Sequence, residues 1–382
     1  MKRCLVILTE IISPYRLPLF NCLAQDSDID LHVIFLSESD PSLRQWKVYK
    51  EEIKFSYKVL PSWRRRVGKF NVLLTGDVLR ALREAAPDAI LCGGYSYIAS
   101  WQALWWARLR RVPFLLWSES NQHDARNGLA PIESLKGIFL RACSGYIAAG
   151  RASKDYLCSH AVSEHKIFIA PNAVDNELFC RGAVSARRDA SAKRRVLDLP
   201  DRYFLFVGRL VPEKGVFDLL AAYTGLSQEL RREVGLVFVG DGASRKELEK
   251  QATAVSPGTV MFSGFVHRED LPAYYGLAEV FVFPTYTDPW GLVVNEAMAC
   301  GLPVIISGVA GCVPDLIRQD WNGLLVSPKD IPSLTAALTR LASQTAVREQ
   351  MGNHSVQLIS QYSPQQWSLG IADAVRRTLN NQ

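Results

Sequence analysis

The fold class is decided by one stretch, Phe283-Pro-Thr-Tyr-Thr-Asp-Pro-Trp-Gly-Leu-Val-Val-Asn-Glu-Ala-Met-Ala-Cys-Gly-Leu-Pro-Val-Ile-Ile306. The apolar run that ends at Phe283 predicts a buried strand, and Gly291 then opens a helix. That helix closes at Gly301, before a second apolar strand that begins at Val304. Because the first N–H groups of a helix have no partner within the helix, its start can hold an anion. Taken alone, the stretch fits an ordinary strand–turn–helix unit equally well.

A second strand–turn–helix unit carries two cations. The segment 204–218 reads Phe-Leu-Phe-Val-Gly-Arg-Leu-Val-Pro-Glu-Lys-Gly-Val-Phe-Asp, so Arg209 and Lys214 flank its turn. A guanidinium group grips phosphate through two parallel hydrogen bonds, and an ammonium group acts as a point charge beside it. By themselves, cations beside a turn are usually only solvated surface charges, so a phosphate-binding role depends on the motifs that accompany them.

Length and composition indicate a two-domain globular protein. The chain has 382 residues, of which 48% are hydrophobic and 21% are charged, and this length exceeds the usual size of a single core. The eight cysteines show no CxxC pair, which favours reduced thiols in a cytoplasmic protein. The formal net charge of +6 permits anionic partners, but no recognition motif accompanies it, so nucleic acid is not an expected partner.

Short apolar runs alternate with helical patterns in both halves, which predicts parallel sheets covered by helices on both faces. In the first half, strands are expected at 5–8, 31–36, 89–92, 114–117 and 146–149. Residues 89–107 carry no charge, but two glycines and several polar residues interrupt them, so a strand, a turn and a helix explain them better than a membrane span. The segment 181–198 is rich in Arg, Ala and Ser without an apolar period, which predicts a linker between the domains.

Together, these motifs resemble the GT-B type glycosyltransferases, and specifically the large retaining group of family 4. The segments that match are Gly208-Arg-Leu…Glu213-Lys-Gly215, the acidic pair Asp288 and Glu296, and the runs at 238–242, 263–266 and 322–325. The resemblance implies an α/β fold with two facing Rossmann-like domains, at 1–180 and 199–363, whose ligands lie at the carboxyl ends of the strands. It also implies a C-terminal helix, 364–382, that returns to the first domain.

The resemblance implies a nucleotide diphosphate sugar as the donor, with UDP or GDP expected and no other cofactor. Arg209, Lys214 and the helix start would neutralise the departing diphosphate, so no metal is expected. Glu296 would accept hydrogen bonds from the ribose, and Asp288, where the family usually has Glu, would face the sugar. The complete set implied for the nucleotide sugar is Gly208, Arg209, Lys214, Gly264, Phe265, Val266, Asp288, Gly291, Leu292, Val293 and Glu296.

The first domain departs from the family pattern. Where many relatives carry a glycine pair after the first strand, this chain has Thr-Glu-Ile-Ile-Ser-Pro-Tyr-Arg at 9–16. We interpret Tyr15 and Arg16 as contacts to the acceptor or to phosphate. Glu119 follows the strand that ends at Trp117 and joins Arg209, Lys214 and Asp288 as a catalytic candidate. His123 lies further on, as an acceptor contact or as a plain loop residue.

Basic and aromatic residues in the first half also suggest a membrane partner. The run Trp63-Arg-Arg-Arg-Val-Gly-Lys-Phe70 joins two aromatic rings to four cations, a composition that binds anionic interfaces. A solvated loop explains it about equally well. The tryptophans at 101, 105 and 106 precede three arginines, but helical spacing also allows them to be core residues.

The sequence therefore predicts a retaining, metal-independent glycosyltransferase that acts on a saccharide or lipid-linked acceptor in surface polysaccharide or glycolipid assembly. Its expected location is the cytoplasm, at the inner face of the membrane if the basic run is an anchor. Two alternatives stay open: a nucleotide-sugar epimerase on the same fold, and a sugar-binding protein without catalysis. The DxD patterns at 26–30 match metal-dependent transferases of another fold, but they lie in a polar connection and are explained by chance.

Overall fold

The computed structural model describes residues 2–40, 46–67, 70–123, 130–256 and 258–380. The chain divides into two compact units: residues 1–122, 126–174 and 364–382 form one, and residues 123–125 and 175–363 form the other. Each unit contains a parallel β-sheet with alternating helices. The predicted α/β class is confirmed, and the C-terminal helix belongs to the first unit as expected.

The sheet of the first unit has the strand order β3-β2-β1-β6-β7-β8-β9 within the described residues. Its strands, with an additional hairpin, are β1 Arg3–Thr9, β2 Ile29–Phe35, β3 Ser56–Val59, β4 Ser62–Val67, β5 Phe70–Thr75, β6 Ala89–Cys92, β7 Phe114–Ser118, β8 Gly145–Ala148 and β9 Ile167–Ile169. The helices of this unit are α1 Leu17–Leu23, α2 Val78–Ala85, α3 Ile98–Arg110, α4 Ala130–Ala142, α5 Arg151–Ser159 and α16 Pro364–Asn380. All strands predicted in this half overlap observed ones, whereas β3, β4 and β5 were not predicted.

Both faces of this sheet are buried, as the continuous apolar runs of its strands predict. Along β1, Leu5 and Ile7 pack into the core on one face, and Val6 and Leu8 into the core on the other. The indole of Trp367 on α16 lies 5.2 Å from the ring of Trp117 and is fully buried. This packing holds the last helix against the first sheet. Among the described residues, no helix is long and apolar enough to cross a bilayer, and the uncharged stretch 89–107 forms β6 and most of α3.

Strands β4 and β5 form an antiparallel hairpin where the sequence suggested a loop, either solvated or bound to a membrane. Trp63 pairs with Leu74, and both side chains are exposed. The next pair, Arg64 and Leu73, points to the other face, where Leu73 is buried. Residues 68–69 and the side chains at 65–67 and 70–72 lie outside the described part of the chain.

The sheet of the second unit has the order β12-β11-β10-β13-β14-β15 in the described chain. These strands are β10 Tyr203–Val207, β11 Gly235–Val239, β12 Val260–Gly264, β13 Val280–Phe283, β14 Val304–Ser307 and β15 Gly323–Val326. The helices are α6 Asn176–Arg188, α7 Ala190–Leu197, α8 Val216–Thr224, α9 Gln228–Glu233, α10 Arg245–Val255, α11 Leu271–Leu277, α12 Leu292–Ala299, α13 Val313–Leu316, α14 Ile331–Ser343 and α15 Thr345–Ile359. The strand order reverses between β10 and β13, and ligands of such sheets bind at the carboxyl ends next to this reversal.

The prediction of a linker at 181–198 was wrong, because α6 and α7 occupy it. Asp175 caps α6 by accepting a hydrogen bond from the Leu178 N–H at 3.0 Å. The buried face of α6 consists of Phe179, Ala183 and Ala186, which are spaced at i, i+4 and i+7. Two alanines make this stripe only weakly apolar, which is why the sequence pattern did not reveal it.

Candidate functional site at the strand reversal of the second sheet

Lys214 and Asp288 meet beside the carboxyl ends of β10 and β13. The Lys214 Nζ lies 2.5 Å from Asp288 Oδ2, and the two side chains are only 13% and 17% exposed. The same ammonium lies 3.3 Å from the Thr287 carbonyl oxygen. The second carboxylate oxygen, Oδ1, accepts a hydrogen bond of 3.0 Å from the Trp290 N–H. Both residues predicted here from sequence therefore lie together, held by contacts to side chain and backbone.

The backbone around this ion pair is fixed by a close approach of two loops. Gly215 has a φ of +67°, and a Cβ placed on it would lie 2.0 Å from the Pro284 carbonyl oxygen. A side chain at this position would collide with the chain after β13. The Glu213 carbonyl accepts hydrogen bonds from the Tyr286 N–H at 2.8 Å and from the Thr285 hydroxyl at 3.1 Å. The turn after β10 and the loop after β13 are therefore one connected surface.

Arg209 lies in the same turn as Lys214 but in a different environment. It directly follows Gly208 after β10, and its side chain is exposed. Within the described chain, its guanidinium forms no ion pair. The turn itself is held by backbone hydrogen bonds, from the Leu210 N–H to the Asp241 carbonyl and from the Ser244 N–H to the Leu210 carbonyl, both 2.9 Å long. Arg209 thus presents an unneutralised cation on a fixed turn.

The start of α12 completes this part of the site. Gly291 precedes the helix with a φ of +97°, and a Cβ on it would lie 3.1 Å from the Phe283 ring. The N–H groups of Leu292 and Val293 belong to the first turn, where helix geometry provides no intrahelical acceptor. Trp290 is buried, and its Nε1 donates to Asn295 Oδ1 at 2.8 Å. Trp290 therefore packs against α12 and positions its start.

Glu296 lies on α12 but is fully buried. The Tyr275 hydroxyl donates to its Oε2 at 2.6 Å, whereas Oε1 accepts no hydrogen bond from any described residue. Burial raises the pKa of this carboxyl to about 8, and the hydrogen bond from Tyr275 offsets only part of that rise. A ribose hydroxyl could reach Glu296 only if neighbouring atoms moved, so its predicted ribose contact stays a prediction.

The segment predicted to hold the base, Gly264 to Val266, begins at the last residue of β12, which lies on the other side of β11 from β10. The Gly264 carbonyl accepts a hydrogen bond of 2.7 Å from the Gly240 N–H after β11. The Phe265 ring is exposed and packs edge-on against His267 at 5.1 Å. An exposed ring beside a strand end can stack on a planar group.

The first unit has its own polar cluster, at the ends of β7 and β9. Arg16 pairs with Glu119 and donates to Asn172 Oδ1 at 3.2 Å, and its guanidinium carbon lies 4.0 Å from the centre of the Trp117 ring. The amide of Asn172 donates to Glu119 Oε1 at 2.7 Å. Burial by itself raises the pKa of the Glu119 carboxyl, because it favours the neutral acid. The positive charge of Arg16 and the hydrogen bonds from Arg16 and Asn172 lower this pKa by more, so it lies below its usual value. Glu119 is thus an ionised acceptor.

The sequence pattern pointed to Arg16 and Glu119 but not to Asn172. The other two acceptor candidates are placed differently. Tyr15 packs edge-on against Trp46, with ring centres 5.9 Å apart. His123 groups with the second unit, where its carbonyl accepts a hydrogen bond of 2.8 Å from the Thr287 hydroxyl.

A second cluster in the first unit was not predicted. Arg64 Nη1 lies 2.5 Å from Asp40 Oδ2 and 3.0 Å from Glu10 Oε1, and Asp40 is buried. Burial raises the pKa of the nearby Tyr97 hydroxyl, and the Glu10 carboxylate raises it further. Arg64 was predicted as a headgroup contact, but these carboxylates already engage it.

Comparison with known proteins gives the class of the fold and then the family. HepE from Anabaena, solved with UDP and glucose, is 18% identical with a TM-score of 0.76, over 98% of this chain and 100% of that chain. This likeness shows a GT-B fold. The family model for Glycosyltransferase Family 4 matches residues 19–178, and the model for glycosyl transferases group 1 matches residues 187–357. The chain therefore belongs to the GT-B glycosyltransferases of family 4.

Two curated relatives match parts of the chain. The GDP-mannose-dependent alpha-mannosyltransferase of Corynebacterium glutamicum is 29% identical over 264 residues, which are 66% of this chain and 59% of that protein. The O-antigen chain mannosyltransferase B of Escherichia coli is 31% identical over 149 residues, 38% of each chain. The chain thus spans 38% and 59% of the length of these two relatives.

Proposed function

We propose that the protein transfers a sugar from a nucleotide diphosphate sugar to a saccharide or lipid-linked acceptor. The observation that carries the proposal is the meeting of Lys214, Asp288 and the start of α12 at the strand reversal of the second sheet. Such reversals hold the ligands of doubly wound sheets. Arg209 adds a cation at the same turn that no carboxylate of the described residues neutralises.

The reaction breaks the bond between the anomeric carbon and the diphosphate oxygen, so negative charge grows on the leaving group. Arg209, Lys214 and the N–H groups of Leu292 and Val293 would bind that charge more strongly as it develops. This is the kind of interaction that speeds the chemical step. We propose that these groups replace a metal ion in that role.

We also propose that the transfer retains the configuration at the anomeric carbon. The acceptor oxygen then forms its bond on the face that the diphosphate leaves, and the acceptor proton passes to a diphosphate oxygen. No protein nucleophile is needed. In this scheme Asp288 accepts hydrogen bonds from the sugar hydroxyls, and Lys214 moves from the carboxylate towards the phosphate.

The donor and the biological role are proposals supported by the relatives. One relative is named for GDP-mannose, and HepE was solved with UDP, so GDP and UDP sugars are the donors to test first. A mannosyltransferase of O-antigen chains is also among the relatives, which supports a role in surface polysaccharide assembly. In the first unit, Glu119 is the ionised group that could accept from an acceptor hydroxyl, with Arg16 and Asn172 fixing its orientation.

The test is a panel of UDP, GDP, ADP and TDP sugars in a thermal-shift assay, followed by product analysis. A donor should raise the melting temperature, because a ligand that binds the folded state stabilises it. The identified donor should then release its nucleotide only with an acceptor. Conversion of the donor without an acceptor would show an epimerase, and binding without any turnover would show a sugar-binding protein.

We further propose that the protein contacts the anionic inner face of the cytoplasmic membrane through its first unit. The support is the basic and aromatic content of this half. Arg64 is not part of that support, because Glu10 and Asp40 engage it.

A further inference from the structure

Helix α3 exposes a stripe of large apolar side chains. Ile98, Trp105 and Leu109 are each more than half exposed, and they follow one another at i, i+7 and i+11. At 3.6 residues per turn these positions fall on one side of the helix. The opposite side is core: Ala103 and Ala107 are fully buried. A soluble helix normally turns polar residues outward, so this outward stripe calls for a partner.

Two elements that contact α3 also expose large apolar side chains. On one side, Trp101 of α3 packs against Phe139 of α4 with ring centres 5.0 Å apart, and α4 exposes Leu135 and Ile138 by more than half. On the other side, α3 lies against β5. The hairpin there exposes the cross-strand pair formed by Trp63 and Leu74.

The charges in the segments that carry these side chains have one dominant sign. Segments 62–75 and 98–113 contain no acidic residue, and Glu133 is the acidic residue of α4. Four exposed arginines lie on α3, directly after it, or on α4. We define the apolar–basic surface by these side chains together: Trp63, Leu74, Ile98, Trp105, Leu109, Leu135, Ile138, Arg108, Arg110, Arg111 and Arg141.

The positive charge of this surface indicates which partner it binds. In a two-fold dimer the same patch meets itself, so a second copy would bring the arginines of both chains together. An anionic bilayer instead offers negative headgroups to the arginines and an apolar layer to the rings. Tryptophan is also enriched, together with tyrosine, at the membrane–water boundary.

We infer that the apolar–basic surface docks on an anionic lipid bilayer, with the stripe of α3 entering the interface. The inference deepens the proposed membrane contact and rests on it, but it is independent of sugar transfer. It moves the contact from the arginine run of the hairpin to α3 and its neighbours. The proposed donor site lies in the other unit, so a change on α3 leaves its residues untouched.

The experiment is co-sedimentation of the whole chain with phosphatidylcholine vesicles, with and without phosphatidylglycerol. The wild type should sediment with the anionic vesicles at low salt and leave them at about 1 M salt, where the screening length falls to about 3 Å. The double substitution Trp105→Gln with Leu109→Gln should remove most of the bound fraction. Replacing Arg108 and Arg110 by Gln and Arg111 by Asn should weaken partitioning on the order of a hundredfold, since each basic residue contributes about fivefold. Position 111 receives Asn because Arg111 has a φ of +58°, and Asn adopts positive φ angles more readily than most residues.

A matched control carries Val196→Gln with Arg195→Gln, an exposed apolar and basic pair on α7 of the other unit. It should bind vesicles like the wild type, and all variants should keep their nucleotide-sugar thermal shift. A wild type that stays in the supernatant overturns both the membrane contact and this surface. Binding by the wild type that the α3 variants fully retain overturns the surface alone. Equal binding to neutral vesicles, or a dimer that the α3 variants dissociate, also rules the inference out.

Discussion

Lys214 and Asp288 are 74 positions apart in sequence but form an ion pair of 2.5 Å at the point where the strand order of the second sheet reverses. The pair is mostly buried, so each charge has exchanged water for the other. Truncating one partner leaves the other poorly solvated. The pair also means that the ammonium of Lys214 must be shared between a carboxylate and an incoming phosphate, whereas Arg209 has no such competitor among the described residues.

We predict that Arg209→Ala and Lys214→Ala each lower turnover by about 100- to 1000-fold, which corresponds to about 2.7–4 kcal/mol of lost transition-state stabilisation. Steady-state rates with the identified donor and acceptor give the measurement. Lys246→Ala, an exposed cation on α10 of the same unit, is the control and should keep the wild-type rate. Wild-type turnover in either folded site variant would remove that cation from the mechanism.

The carboxylates of Asp288 and Glu296 should contact different parts of the donor, so their substitutions should weaken the binding of different ligands. Asp288→Asn should spare binding of the bare nucleotide diphosphate, because it also frees Lys214, and should weaken binding of the complete donor sugar. Glu296→Gln should weaken both, if α12 opens enough for a ribose to reach this position. Calorimetry with the nucleotide and with the nucleotide sugar separates these effects, and the reverse pattern would exchange the two assignments.

Gly215 should tolerate no side chain. Gly215→Ala places a Cβ 2.0 Å from the Pro284 carbonyl oxygen at a φ of +67°, so it should shift the two loops and separate Lys214 from Asp288. Gly258→Ala is the matched control, since its φ is +79° but nothing lies within 4 Å of the added Cβ. The control should cost only the backbone strain, about 1–2 kcal/mol. Equal unfolding midpoints of the two variants would show that the loop contact contributes nothing.

The sequence predicted the second unit better than the first for a physical reason. Arg209, Lys214 and Asp288 are placed by local strand–turn–helix units, and the strand ends of parallel sheets lie at one edge, so short-range signals were sufficient. The environment of Glu296 was not predictable, because its burial beside Tyr275 depends on how α11 packs on α12.

In the first unit, the features that the sequence did not predict are long-range contacts. The run of arginines at 64–66 suggested a solvated or membrane-bound loop, but Arg64 lies in a strand and pairs with Glu10 and Asp40, 54 and 24 positions away. Arg16, Glu119 and Asn172 are likewise assembled by the sheet from distant segments. A linear pattern contains no signal for such pairings.

The last prediction concerns pH and the buried carboxyl of Glu296. Its pKa is raised from 4.5 to about 8 by burial, so the folded chain keeps a proton that the unfolded chain releases above pH 4.5. The contribution of this carboxyl to the free energy of unfolding is therefore fully present below pH 4.5, and it is lost as the pH rises towards about 8. Within that window the free energy of unfolding should fall by up to about 1.4 kcal/mol per pH unit.

Glu296→Gln removes the titration while keeping an oxygen that can accept from the Tyr275 hydroxyl. The variant should resemble the wild type at the acid end of the window and become progressively more stable than it towards the alkaline end. Urea unfolding across the window gives the measurement, and Glu229→Gln, an exposed carboxyl on α9, is the control that should follow the wild type throughout. Parallel profiles of wild type and Glu296→Gln would mean that the carboxyl is ionised in the folded protein, with a partner for Oε1 that keeps its charge stable.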